Sequence, residues 1–256
     1  MTKKHFVSQT FEEVFKDINK EITENPEHTF DSRIGTTFEV NNLTFEVTDP
    51  NSYEMPDSKI NRISYEYANT FYEFMMSGGG LNKAQQAFAG NKKALEFVQA
   101  PKTESLPDNF NTLYGPRIIE QLPAVINELA DNPNSRRACL MILNPDDHVL
   151  LELDEKIEYP CCFNATYYIR DNKLNTHINM RSQNTALVLQ MDIYIHARLM
   201  IHVMNELNNN YDDELQLGTM SYHMVSGHVF TRDLEYVNSF IGKPNKPLNP
   251  SPRDGV

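Results

Sequence analysis

Residues 159–182 read YPCCFNATYYIRDNKLNTHINMRS, in which two apolar-rich runs, Phe163–Ile169 and Leu174–Met180, flank Arg170-Asp171-Asn172-Lys173. The runs predict two strands, and the four residues between them supply turn chemistry. Downstream, Ala186–Leu207 is the longest apolar stretch; Gln190, Asp192, His196 and Arg198 interrupt it, so it reads as a buried helix and not as a membrane span. Upstream, Cys139–Leu143 is a short, nearly continuous apolar run, as expected of a buried strand. Residues 117–130 place Ile118, Leu122, Val125, Ile126 and Leu129 on one side of a predicted helix that stops before Asn132-Pro133. Residues 62–76 are also helical in pattern, and Phe11, Val14, Phe15, Ile18 and Ile22 predict an amphipathic helix near the start. Phe38 and Val40, then Leu43, Phe45 and Val47, are broken at Asn41-Asn42 and predict a hairpin of two half-buried strands. From Gly242 the sequence looks irregular, and no repeat, low-complexity block or linker divides residues 1–256.

At 256 residues and 40% apolar content, the chain can bury the core of one α/β or α+β domain. A net charge of −12 with no basic run disfavours nucleic acid as a partner. A small anion is still compatible, because a few converging arginines make a positive pocket inside an acidic protein. Cys139, Cys161 and Cys162 are too few, and odd in number, for a disulfide framework. With no apolar leader in Met1-Thr2-Lys3-Lys4-His5 and no membrane span, the expected location is the cytoplasm.

A cysteine in such a chain is more often a small buried hydrophobe than a nucleophile, and by residue type alone either Cys161 or Cys162 could be the reactive one. Context narrows the choice. Tyr159-Pro160-Cys161-Cys162, a strand, Arg170-Asp171, and a second strand ending Asn179-Met180-Arg181-Ser182 together resemble the core of the thymidylate synthase family. There a proline-cysteine pair leads through two strands to an arginine-serine. Asn132-Pro133-Asn134-Ser135-Arg136-Arg137 after its helix, Ser32-Arg33-Ile34-Gly35-Thr36, Tyr114-Gly115 and Gly227-His228-Val229-Phe230 resemble further blocks of the family, so the likeness runs from about Ser32 to Val237.

The resemblance implies an α+β fold, a single domain over residues 1–256 with a mixed β-sheet core flanked by helices. It makes Cys161 the nucleophile that attacks C6 of a pyrimidine nucleotide, with methylenetetrahydrofolate as cofactor and no metal. Arg33, Arg181 and Ser182 become phosphate ligands. Arg136 and Arg137 would reach across the twofold axis of a homodimer with shared sites. Guanidinium groups bind a phosphate with several charge-assisted hydrogen bonds, and they favour a nearby thiolate. Glu73, in Glu73-Phe74-Met75-Met76, matches the carboxylate that orders water and moves protons. His228 and Tyr114 match sugar and base contacts. Asn184 and Phe97 fall near the folate and base, Asn184 standing in place of an aspartate.

Asp192 falls where thymidylate synthases carry the asparagine that recognises uracil. An amide pairs with uracil's N3–H and O4, whereas cytosine presents the reverse pattern, an accepting N3 and a donating amine. A carboxyl group can accept from that amine and, when protonated, donate to N3. The same exchange marks phage deoxycytidylate hydroxymethylases, so the resemblance implies hydroxymethylation of dCMP. The alternatives are C5 methylation of dCMP or CMP, and a nucleotide-binding homologue that has lost folate chemistry.

Overall fold

In the computed structural model, the described residues are 2–32, 35–78, 114–152, 159–209 and 214–242. Their order is β1 (His5–Ser8), α1 (Phe11–Glu24), β2 (His28–Ser32), β3 (Gly35–Val47), α2 (Tyr65–Met76), α3 (Tyr114–Asp131), β4 (Cys139–Met141), α4 (Val149–Glu152), β5 (Cys162–Arg170), β6 (Lys173–Asn184), α5 (Val188–Asn208), β7 (Gln216–Phe230) and α6 (Leu234–Ile241). The strands form one mixed sheet in the order β1-β3-β7-β6-β5-β4, and β2 pairs with the first half of β3. Pairing is parallel for β1 with β3 and for β6 with β7, and antiparallel for the other pairs. This is the α+β architecture that the resemblance implies.

Each predicted helix forms where its apolar side meets the sheet or another helix. In α1, Phe11, Val14, Phe15, Ile18 and Ile22 are all fully buried, and Thr10 and Glu13 close a capping box at its start. The β5–β6 reversal occurs at Asp171 and Asn172, both with positive φ, as the turn-forming residues between the two runs require. Helix α5 is buried along most of its length, and its polar interruptions are satisfied inside: Gln190 donates to Ile60 O at 2.8 Å and to the Tyr236 hydroxyl at 2.6 Å.

Two expectations change. The predicted hairpin at Asn41-Asn42 is one continuous strand, because β3 keeps a single register with β7 from Thr37↔Phe230 to Val47↔Met220. Asn42, exposed at φ 55, is a left-handed residue that moves the buried face from Val40 to Leu43, so the apolar phase shifts with no chain reversal. Among the described residues Cys139–Met141 pairs only with β5, and Met141 is 50% exposed, so it is not a strand buried on both faces. The tail beyond Gly242 lies outside the described residues.

Two packing features hold the site in place. At the start of α3, a Cβ on Gly115 would stand 2.8 Å from Met75 O, so only glycine lets this end of α3 approach the end of α2. Arg117, also on α3, forms a two-pronged ion pair with the fully buried Asp147 at 2.6 and 2.7 Å and donates to Ile142 O at 2.5 Å. That pair ties α3 to the segment after β4.

Candidate functional site

Cys161 lies immediately before β5, half-buried. Its N–H donates to the Tyr114 hydroxyl at 2.9 Å, and the N–H of Cys162 donates to the same oxygen at 3.2 Å. Arg181 grips the other side. Its Nε donates to Pro160 O and its Nη2 to Tyr159 O, both at 2.8 Å, while Nη2 lies 3.5 Å from Cys161 Sγ. The guanidinium also stacks 5.0 Å from the Tyr159 ring centroid, and Arg181 N donates to Cys161 O at 2.8 Å. A β-bulge between Cys162 and Asn164 interrupts the register with β6 next to this cluster, a common device for aiming a side chain beside a functional site.

The two cysteines differ in kind. Cys162 is fully buried, and burial pushes its thiol far up, so it stays protonated and inert. Cys161 is the partly accessible one, with a cationic donor on its sulfur, the setting in which an anionic sulfur is stabilised.

On α5, Asp192 Oδ2 accepts from Gln183 Nε2 at 2.8 Å. Burial raises the Asp192 carboxyl to about 7, against the downward pull of that hydrogen bond. Behind it, the Tyr222 hydroxyl donates to Asp192 O at 3.2 Å and lies 2.5 Å from His196 Nδ1. The Asp192 charge acts on both Tyr114 and Cys162, so the cysteine cluster and the carboxyl occupy one neighbourhood. His228 stands across the β6–β7 ladder from Asn184; it lies within the field of Arg181, and burial pulls its imidazole below the usual range. Ser182 follows Arg181 on β6, paired in register with Ser226.

The structure thus brings together Cys161, Tyr114, Arg181, Asp192 and His228. Tyr114 holds the backbone of the two cysteines through its hydroxyl, a contact that spacing alone did not suggest. Glu73 stands apart: its side chain is 63% exposed, its carboxylate is 3.8 Å from Arg198, and none of its described contacts is with Cys161 or Asp192. Arg136 and Arg137 are exposed on the α3–β4 connection, where Arg137 pairs with Glu128 at 2.9 Å. Arg33 and Phe97 lie outside the described residues. Asn184 Oδ1 accepts from Leu187 N at 3.2 Å, next to an exposed apolar edge formed by Leu187 and Val188. Sequence reasoning missed Gln183 and Tyr222. Gln183 follows the arginine-serine pair directly, whereas nothing in the sequence flags Tyr222. Among the described residues, no group of three His, Cys, Asp or Glu side chains could hold a metal ion, and no helix is long and apolar enough to cross a membrane.

A mixed sheet that sets a partly accessible cysteine against an arginine, with a partly buried carboxyl nearby, defines the class as an α+β protein with a cysteine–arginine site. Comparison with known proteins identifies which one. The family profile described as "Thymidylate synthase" matches residues 13–252, and the chain belongs to that family. A putative thymidylate synthase of Methanocaldococcus jannaschii is 23% identical over 240 residues, covering 93% of this chain and 95% of that protein. Thymidylate synthases of Bacillus licheniformis and of Bacillus phage phi3T are each 26% identical, over 120 and 117 residues. Those two matches cover 47% and 46% of this chain but only 39% and 38% of the relatives' own lengths.

Proposed function

We propose that this chain transfers a one-carbon unit to C5 of a pyrimidine nucleotide, and specifically that it hydroxymethylates dCMP. The observation that carries the choice of base is Asp192, a carboxyl that burial raises to about 7 and that can therefore be neutral at working pH. A neutral carboxyl offers one donor and one acceptor, the complement of cytosine's ring nitrogen and exocyclic amine.

In this reading Cys161 Sγ bonds to C6 of the base, which turns C5 into a nucleophile. Methylenetetrahydrofolate, when bound, supplies the carbon that C5 takes up. Asn184 and the exposed Leu187–Val188 edge suit such a group: among the described residues Asn184 uses only its Oδ1 in a hydrogen bond, beside an accessible apolar surface, a fitting combination for a flat polar ring. C5 then loses its hydrogen as a proton, the new carbon would part from tetrahydrofolate as the leaving group, water adds to that carbon as hydroxyl and gives up a proton, and the sulfur leaves C6. Glu73, in water beside Arg198, is the carboxylate we assign to ordering that water. Arg181 and Ser182, joined by Arg33, bind the phosphate, and His228 meets the sugar.

The exposure of Arg136 and Arg137, away from the Cys161 contacts, supports their delivery to the phosphate of a second copy in a homodimer. We also propose that the chain acts as one catalytic domain, in the cytoplasm. The test of the base assignment is the ratio of kcat/KM for dCMP and dUMP. Asp192→Asn should lower it by about tenfold to a hundredfold, since a site built for one hydrogen-bond pattern leaves groups unpaired with the other. An unchanged ratio would sink the assignment.

A further inference from the structure

Among the described residues, only two buried side-chain polar atoms lack a hydrogen-bond partner, and one is Gln183 Oε1. The Gln183 side chain is nearly enclosed, at 2% exposure, and its other amide atom, Nε2, donates to Asp192 Oδ2 at 2.8 Å. An idle buried carbonyl is costly, and a leucine of similar size would fill the same space without it. What the amide contributes here is the Nε2 donor. Its effect on Asp192 is asymmetric: Oδ2 receives the amide proton, whereas Oδ1 has no hydrogen-bond partner among the described residues and is not among the sealed atoms.

We propose that Gln183 is a positioning residue for the base-reading carboxyl: by donating to Oδ2 of Asp192 it directs the acid proton to Oδ1, and so presents an ordered acceptor–donor pair to cytosine. Oδ2, already receiving one N–H, accepts the exocyclic amine on its remaining lone pair, and Oδ1–H points to the ring nitrogen. This rests on the reading of Asp192 as the base reader. The surroundings leave Asp192 in charge of the titration. Tyr114 from α3, Cys162 from β5 and Tyr222 from β7 face it, His196 follows one turn later on α5, and the facing group from β6 is Gln183 itself. Burial pushes the tyrosines and the thiol far up and pulls His196 down to about 4, so all four are neutral near pH 7, where Asp192 changes charge.

The test is calorimetric binding of dCMP and of dUMP to the full chain across pH, with wild type, Gln183→Leu, Gln183→Glu and Asp192→Asn. Wild type should bind dCMP most tightly below neutrality and take up a proton on binding above it. Gln183→Leu should weaken dCMP about tenfold below neutrality, the worth of one lost hydrogen bond that orders the carboxyl. It should also move the pH at which affinity falls upward, because a hydrogen bond that favoured the carboxylate is gone. Gln183→Glu, able to donate only while protonated, should recover dCMP binding in acid and lose it as pH rises. A merely structural role for Gln183 would weaken both nucleotides without moving that pH. If Asp192→Asn changes the dCMP/dUMP ratio while neither Gln183 variant shifts the pH dependence, the Gln183 assignment is overturned and base reading stands. If Asp192→Asn leaves the ratio unchanged, base reading itself fails. Should Gln183→Leu not fold, the acid recovery of Gln183→Glu decides.

Discussion

Tyr114→Phe removes one oxygen atom and leaves two main-chain N–H groups, those of Cys161 and Cys162, without their acceptor. Each unpaired buried donor costs about 1–3 kcal/mol, and water can reach the half-buried Cys161 more easily than Cys162. The expected loss is therefore roughly 2–4 kcal/mol, toward the lower part of the summed range. At ~2.1 cal/mol/K per residue, a chain of 256 residues has an unfolding entropy near 0.54 kcal/mol/K, so the thermal midpoint should fall by about 4–7 °C. Tyr72→Phe is the control: among the described residues its hydroxyl makes one long hydrogen bond, 3.4 Å to Arg198 O, and its loss should cost about 0.5–1 kcal/mol. The assay is differential scanning calorimetry of both variants, with the rate of Cys161 alkylation measured alongside. The alkylation rate should change in Tyr114→Phe and not in Tyr72→Phe, because only Tyr114 holds the cysteine backbone. Equal midpoints and unchanged alkylation in Tyr114→Phe would refute the claim that its hydroxyl fixes the backbone of Cys161.

Other outcomes follow from the same contacts. Arg181→Lys cannot keep the fork to Tyr159 O and Pro160 O while touching Sγ, and should slow alkylation of Cys161 at neutral pH about tenfold, read by mass spectrometry of the labelled peptide. Arg117→Met leaves Asp147 buried and unpaired and should cost about 3–5 kcal/mol in urea titrations, whereas Arg117→Met with Asp147→Leu should recover most of that loss. Asp192 keeps its proton in the folded state up to about 7 but releases it near 3.8 when unfolded, so between these values the native state binds more protons and stability falls as pH rises. Asp192→Asn should remove this loss, about 4 kcal/mol over the full window, and so stabilise the protein above neutrality while changing little in strong acid, as pH-dependent melting would show. Mixing an Arg136→Ala, Arg137→Ala variant with Cys161→Ser should restore activity if sites are shared between subunits; no recovery despite demonstrated subunit exchange would count against sharing.

The β5–β6 pair, its turn, and helices α1, α3 and α5 were legible because each carries a clear period and a stop signal, such as Asn132-Pro133 after α3. Strand β7, the longest among the described residues, was not read. Gly218, Ser221, Ser226 and Gly227 thin its apolar alternation, although every second residue from Gly218 to Met224 is buried. At Asn42 a phase shift looked like a reversal, since sequence cannot distinguish one left-handed residue within a strand from two that turn it. In the site, Cys161, Arg181 and Asp192 were found through the resemblance, and the structure adds why Cys161 differs from Cys162. Gln183 was missed although it follows the arginine-serine pair, because its contact with Asp192 depends on α5 packing against the end of β6. Tyr114 was noticed for a different role, and only the folded geometry brings its hydroxyl to the two cysteine N–H groups.

The central claim, a cysteine enzyme that hydroxymethylates dCMP, is tested most directly by incubating the full chain with methylenetetrahydrofolate and dCMP, CMP or dUMP, and weighing the products. The account predicts that dCMP gains the mass of one formaldehyde unit, that dUMP reacts far less, and that Cys161→Ser forms nothing while Cys162→Ser retains most of the activity. A gain of a single methylene unit, a preference for dUMP, or turnover that survives Cys161→Ser would contradict it.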